Sequence, residues 1–260
     1  MISVETARRA FAYWMASYRR TWRGSVVSSF LVPFLYLAAL GIGLGAFVDA
    51  GGGTRALGGL TYLEYIGPGL LAATALQTAA FESSYPVMGG WKWFKVYFAM
   101  LATPLGVRDV LAGHLLFVAF RVTTTCLVYL VVLTVFGAVV SPWGVLAVVA
   151  GLLTGLAVAA PTFALAVSSD RDTVFALYFR FAILPMFLFS GAFFPVTELP
   201  EAARPVAYAT PLWHGVELAR TFAQGVPSWG WVAAHVGYLV LWIAFGVWWA
   251  GGAFRRRLLT

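Results

Sequence analysis

Three ionisable side chains in the C-terminal third of the chain, His214, Glu217 and Arg220, recur at helical spacing. Residues three apart on a helix are neighbours, so one face can hold all three. A trio of this kind could do acid–base work, bind a metal or form a hydrogen-bonded network. Zinc takes three or four protein ligands, and one His with one Glu falls short. The favoured reading is a polar network that closes a pore mouth. A second pair, Glu82 and Arg121, falls in apolar runs where a charge is costly and needs a reason. The two either pair with one another or each snorkel to the interface, and a proton relay is the functional alternative. Glu64 and Arg180 lie near the ends of such runs, where snorkelling suffices for Arg180. The chain has no Gly-Lys pair, hence no phosphate-cradling P-loop of its own. It also lacks H-E-x-x-H and G-x-S-x-G. Its one cysteine, Cys126, sits in an apolar run and can form no intrachain disulfide. Nothing here supports covalent or metal catalysis.

The elements that must position these residues follow from composition. Of the 260 residues 61% are hydrophobic and 10% charged, with mean hydropathy +0.85. A soluble domain is about 45–50% apolar and about 25% charged, so this chain reads as an all-α integral membrane protein. A helix crossing the ~30 Å hydrocarbon core needs about 20 apolar residues. Six stretches qualify: 26–48, 63–82, 114–136, 144–167, 174–194 and 231–251. A seventh candidate, 205–226, contains Pro205, Pro211, His214, Glu217 and Arg220, too costly a set for lipid. It reads as interfacial or re-entrant, within an outer segment 195–230. Residues 1–260 form one membrane domain, with no internal repeat.

Orientation follows from the bases. The N-terminal tail, the 83–113 and 168–173 loops and the C-terminus carry twelve of the seventeen Lys and Arg, against three in the opposite loops. By the positive-inside rule six spans then place both termini in the cytoplasm. The net charge of +7 is thus a topology signal, not affinity for nucleic acid. The apolar run from Val26 to Val48 exceeds the ~7–15-residue core of a signal peptide, so the first span is expected to stay.

Two inner segments stand out. In residues 1–24, Val4, Ala7, Phe11, Trp14, Met15, Tyr18 and Trp22 fall on an arc of about 100°, with Arg8, Arg9, Arg19, Arg20 and Arg23 on a neighbouring arc. This predicts an interfacial helix, apolar face in lipid and Arg toward phosphates, serving either as an anchor or as a docking strut for a cytoplasmic partner. The 83–113 loop carries the cationic–aromatic cluster Trp91-Lys92-Trp93-Phe94-Lys95. A short helix follows, over 103–112, with Thr103 as cap and Pro104 at its first position. That helix either lies in the interface or plugs a groove on another protein.

Phe189-Ser190-Gly191-Ala192-Phe193-Phe194-Pro195-Val196, Leu199-Pro200 and Pro211-Leu212-Trp213-His214-Gly215-Val216-Glu217-Leu218-Ala219-Arg220 resemble the signature of type-2 ABC exporter permeases. Phe81-Glu82-Ser83, Leu101-Ala102-Thr103-Pro104-Leu105 and Arg108-Asp109 look like the nodulation-type lipo-oligosaccharide exporter permeases and their antibiotic-exporting relatives. The resemblance runs over nearly the whole chain. It implies six spans, a dimer of permeases and two copies of a separate ATPase subunit that binds ATP and Mg, with no cofactor in this chain. It also implies an N-terminal helix and a coupling segment (Thr103, Pro104, Leu105, Arg108, Asp109) in contact with that ATPase. Paired re-entrant helices over 195–226 would lie beneath the outer mouth, bringing in Phe194, Pro195, Pro211, His214, Glu217 and Arg220. The family's small polar residue before the His is Trp213 here. The implied activity is ATP-driven export of an amphipathic or lipid-linked substrate (a glycolipid, lipo-oligosaccharide or hydrophobic drug) across a bacterial plasma membrane. The alternatives by residue content are an ion-coupled carrier or channel motivated by Glu64, Glu82 and Arg121, and a membrane enzyme using His214 and Glu217.

Overall fold

Apolar runs this long and this poor in strand-like alternation fold as helices, and no strand occurs among the described residues. The computed structural model describes residues 4–55, 57–225 and 227–259. Residues 1–3 of the predicted interfacial helix, the Val4 side chain on its apolar arc and position 226 of the outer segment lie outside them.

Helix α1 (Val4–Tyr36) continues through a π-helical stretch (Leu37–Leu44) into α2 (Gly45–Ala50). The predicted interfacial helix and first span are therefore one run. Gly24 does not divide them, because a single Gly costs a helix only about 1 kcal/mol. Helix α3 (Tyr62–Ser83) opens on a capping box in which Glu64 N donates to Thr61 Oγ1 and Thr61 N donates to Glu64 Oε2. The inner loop contains α4 (Tyr85–Met88), a π-helical stretch (Gly89–Trp93) and α5 (Val96–Leu101). Then come α6 (Val107–Val135), α7 (Ala147–Ser168), α8 (Thr173–Tyr178) and α9 (Leu184–Phe189). The last two are joined by π-helical Phe179–Ile183. Pro185 has no N–H for the Phe181 carbonyl, and the wider turn before it relieves the clash of its ring. The outer segment holds α10 (Arg204–Tyr208) and α11 (Pro211–Gln224), and α12 (Trp229–Leu259) ends the chain.

Among the described residues four runs are long and apolar enough to cross a membrane: Pro33–Ala50, Val107–Val135, Pro142–Ser168 and Trp229–Leu259. Of the other two expected spans, 63–82 falls on α3, of 22 residues, and 174–194 on the shorter apolar run Thr173–Phe189, and neither is among those four. Fifteen residues of α3 are buried against other helices. A helix in that position needs less apolar surface than one facing lipid.

Contacts fix the direction of each run. Thr6 meets Asp109, Ala10 faces Gly113, Tyr18 meets Phe120 and Phe34 meets Phe136, so α1 and α6 are parallel. Gly151 lies against Cys126 and Gly155 against Val122, so α7 is antiparallel to α6. Gly151 and Gly155 also approach Leu71 and Ala75, so α3 is parallel to α7. Phe254 stacks on Phe163, and Gly246 abuts Ala160 and Pro161, which sets α12 parallel to α7. Phe81 stacks on Phe179, and Tyr85 meets Phe175, so the α8–α9 run opposes α3.

The base-rich segments meet at one end. Arg257 pairs with Asp170 at 2.5 Å and donates to the Val167 carbonyl, while Lys92 Nζ donates to the Asp170 carbonyl. Trp91, expected in the interfacial cluster, is instead buried and donates Nε1–H to the Ala166 carbonyl at 3.1 Å. Its neighbours Trp93 and Phe94 are exposed.

Candidate functional site

The structure brings the sequence-derived residues into three assemblies: one around Asp109 at the base-rich end, called inner after the expected orientation, a charged pair inside the helix bundle, and a network around Arg220 at the opposite, outer end.

At the inner end, α6 begins at Val107, three residues later than a Thr103 cap requires. Thr103 Oγ1 instead donates back to the Met100 carbonyl at 2.6 Å, and residues 102–104 form a turn followed by an irregular link at 105–106. Gly106 takes the N-cap position, its N–H donating to Asp109 Oδ2 at 2.9 Å. The other carboxylate oxygen accepts from Thr6 Oγ1 at 2.8 Å. Asp109 is 7% exposed and both its oxygens are used within the chain. It therefore clamps the N-terminal helix to α6, whereas Thr103, Pro104 and Arg108 face outward. The short helix expected at 103–112 merges with the expected span at 114–136 into one rod of 29 residues, about 43 Å long.

As far as Tyr18 the apolar arc of the N-terminal helix is turned to protein, contrary to its expected place in lipid, while Trp22 at its far end is exposed. Ala7 and Ala10 are buried, Trp14 stacks on His114 at 3.9 Å, and Phe11 and Tyr18 meet Phe120. Arg8, Arg9, Arg19 and Arg20 stay exposed, with Arg9 paired to Glu5. Tyr97 Oη and His114 Nδ1 share a hydrogen bond of 2.7 Å beneath Trp14. Burial pushes the Tyr97 hydroxyl well above its ordinary pKa, so it remains neutral. Sequence reading misses this cluster because His114 and Tyr97 carry no motif and Trp14 is a hundred positions away from His114. Between the N-terminal helix and the inner loop lies a cleft of about 430 Å³, lined by Arg9, Tyr13, Phe94, Met100, Thr103 and Leu105.

Of the two readings open for Glu82 and Arg121, the structure selects pairing. Arg121 Nε donates to Glu82 Oε1 at 2.9 Å, and the guanidinium lies 4.7 Å from the Tyr18 ring centroid. The side chains are 12% and 23% exposed, so removing one partner strands the other charge in poor solvent. Arg121→Met and Glu82→Gln should each destabilise the protein by about 1–3 kcal/mol. The double variant should lose clearly less than their sum, as read by thermal unfolding in detergent. Additive losses would mean that the pair is not coupled.

At the outer end, Thr210 caps α11 and Pro211 occupies its first turn. With 14 residues, about 21 Å, α11 is too short to cross. Its N-terminal half reaches down to Thr154, seven residues into α7, and a Cβ on Gly215 would lie 1.8 Å from Thr154 Oγ1. Arg220 is the hub. Its Nη1 donates to Glu217 at 2.7 Å, its Nη2 to the Gly191 carbonyl at 2.8 Å and its Nε to the Tyr65 carbonyl at 3.4 Å. The guanidinium also sits 3.8 Å over the Tyr65 ring. Gln224 completes the seam. Pro68 has no N–H for the Glu64 carbonyl four residues before it, and Gln224 Nε2 donates to that carbonyl at 2.6 Å and to the Ala138 carbonyl at 3.0 Å. Phe194 packs on the small cluster of Val196, Leu199 and Ala207, and Pro195 precedes its first turn.

His214 departs from the expected trio. Its ring stacks on Tyr238 at 3.8 Å and shares a 2.8 Å Nδ1–Nδ1 hydrogen bond with His235 of α12, away from the Glu217–Arg220 pair. Among the described residues no group of three or more His, Cys, Asp or Glu side chains could hold a metal ion.

Comparisons with known proteins give the following likenesses. A family model described as "ABC-2 type transporter" matches residues 8–222. Nodulation protein J of Rhizobium leguminosarum bv. trifolii is 31% identical over 255 residues, which cover 95% of this chain and 94% of that protein. The proteins of the same name from Rhizobium leguminosarum bv. viciae and Neorhizobium galegae are 30% and 26% identical. Those matches cover 95% and 99% of this chain and 95% and 98% of the respective relatives.

Proposed function

From the premise that the chain belongs to the ABC-2 type transporter family, as a membrane permease subunit, we propose that it serves an ATP-driven exporter in a bacterial plasma membrane. In this reading two copies of the permease bind two copies of a separate ATPase subunit, which hold ATP and Mg. Six spans cross the membrane with both termini in the cytoplasm. Support for six comes from the alternating directions of α1–α2, α3, α6, α7, α8–α9 and α12, and from the gathering of basic segments at one end.

The observation that carries the reading is the inner cleft of about 430 Å³. It joins the two segments expected to dock a partner, Arg9 from the N-terminal helix and Thr103 with Leu105 from the coupling turn. A partner seated there touches α1 and the start of α6 together. Closure of the ATPase pair would tilt both as one body, since Asp109 holds them together. The Glu82–Arg121 pair offers little to the ion-coupled alternative, because each charge already answers the other.

The substrate path would run between permease copies along the first, second and fifth spans. Phe81 and Phe179 stack at 4.8 Å over a groove of about 390 Å³ that also contains Gln77, Arg180, Ile183 and Phe187. Apolar walls with a few polar groups suit a glycolipid, a lipo-oligosaccharide or a hydrophobic drug.

Arg108→Glu tests the coupling. Arg108 is exposed beside the coupling turn, and a like-charge contact with the partner there would cost several kcal/mol, so transport and substrate-stimulated ATP hydrolysis should fall roughly tenfold or more. Membrane insertion and yield should stay unchanged. Unchanged transport by this variant would refute the coupling role. Failure of any Walker-A protein to copurify with the chain and its operon partners would refute the exporter reading itself.

A further inference from the structure

We propose that the groove between the start of α6 and the end of α12 is a binding site for the headgroup of one anionic phospholipid. The groove has a volume of about 490 Å³ and lies at the base-rich end of the molecule. Arg108, Arg255 and Arg256 line it, no acidic residue does, and Leu111, Leu115 and Trp248 form its apolar part. Arg257 is committed to Asp170, to the Val167 carbonyl and to the face of Trp91, where its guanidinium lies 4.2 Å from the ring centroid.

The shape of the groove comes from Gly251 and Gly252. A Cβ on Gly251 would meet nothing within 4 Å, and one on Gly252 would meet only Arg256 Nη1 at 3.7 Å. The two glycines leave a notch between the guanidinium groups and Trp248, which lies one turn deeper along α12 and is 75% exposed. Positions 248, 251, 252 and 255 follow the three- and four-residue spacing of one helix face. Guanidinium groups bind phosphate oxygens in a fork, and indole rings favour the headgroup level. Basic pockets between spans on the inner side recognise anionic headgroups. A phosphodiester in the notch, with its acyl chains descending past Trp248 and Leu115, satisfies each of these features. This assignment rests on the chain being embedded in a bilayer and holds whether or not it exports a substrate.

The full-length chain, purified in mild detergent and returned to nanodiscs of phosphatidylglycerol and phosphatidylcholine, provides the test, with bound lipid counted by native mass spectrometry. The wild type should retain one phosphatidylglycerol with a preference of about tenfold or more over phosphatidylcholine. R255Q/R256Q should abolish the preference. Gly251→Leu should abolish it too, because it fills the notch without removing a charge, and the open space around Gly251 lets the variant fold with unchanged thermal stability. Millimolar inorganic phosphate should leave the lipid in place. Three outcomes would each overturn the site: full retention by R255Q/R256Q, an unaltered preference in Gly251→Leu (which would mean general attraction of anionic lipid to the basic end), or displacement of the lipid by phosphate alone.

Discussion

Arg220→Met is expected to cost about 3 kcal/mol of stability and to loosen the outer end of the molecule. Hydrogen bonds to a charged donor contribute about 1.5–3 kcal/mol each. Arg220 serves Glu217, the Gly191 carbonyl and the Tyr65 carbonyl at once. The 3.4 Å contact is the weakest of the three. Glu217 is 35% exposed and can regain water, so the full value of every bond is not lost. Methionine matches the length of the stem but leaves the Gly191 carbonyl without this donor and the Tyr65 ring without its cation. A drop in melting temperature of roughly 6–12 °C should follow for a chain of this size, with faster hydrogen exchange confined to α11 and the turn at Gly191. Arg220→Lys keeps the charge but lacks the planar fork, so it should recover less than half of the loss. Full recovery by Lys would show that charge alone matters and would remove the case for a hub.

Gly113→Leu should produce the second large effect, at the inner end. A Cβ at residue 113 would lie 2.5 Å from Ala10 Cβ, 2.8 Å from the Ala7 carbonyl oxygen and 2.8 Å from Phe11 N. Two of these three atoms belong to backbone, so no rotamer change relieves the clash and the N-terminal helix must move off α6. In the assembled transporter this should separate ATP hydrolysis from transport, with transport falling roughly tenfold or more, since overpacking of 1–3 kcal/mol acts directly on the joint. The Ala variant gives the sharper diagnosis through its sign. In an ordinary helix interior Gly→Ala gains up to about 1 kcal/mol, whereas Gly113→Ala should lose stability. A gain would mean that the two helices are free to separate without consequence.

Several of these features are legible in the order of the residues alone. Pairing of Glu82 with Arg121 is one of two readings that the sequence leaves open, because two opposite charges in apolar runs have few other partners. That Glu217 and Arg220 are helical neighbours follows from their spacing of three. The N-terminal arc is also correctly read as one apolar face. Periodicity reports that a face is apolar, however, and not whether lipid or protein covers it. Here α6 covers it, because Gly113 opposite Ala7 and Ala10 allows the two backbones to approach closely.

The Thr103-Pro104 start signal fails for a local reason. Thr103 spends its hydroxyl on the Met100 carbonyl, which closes α5, and Asp109 caps the next helix from its third position. The His214 reading fails for a non-local one. The three-residue spacing that links it to Glu217 competes with a ring stack on Tyr238 and a hydrogen bond to His235, both supplied by another helix.

The sequence by itself determined that the chain is helical, membrane-embedded and asymmetric in charge, since these properties depend on composition and on spacing along a single helix. Only the tertiary structure decided which charges meet, which apolar face is covered and where the clefts lie. Those outcomes depend on how closely pairs of helices approach, and that distance is set by small residues at single positions far apart in the chain.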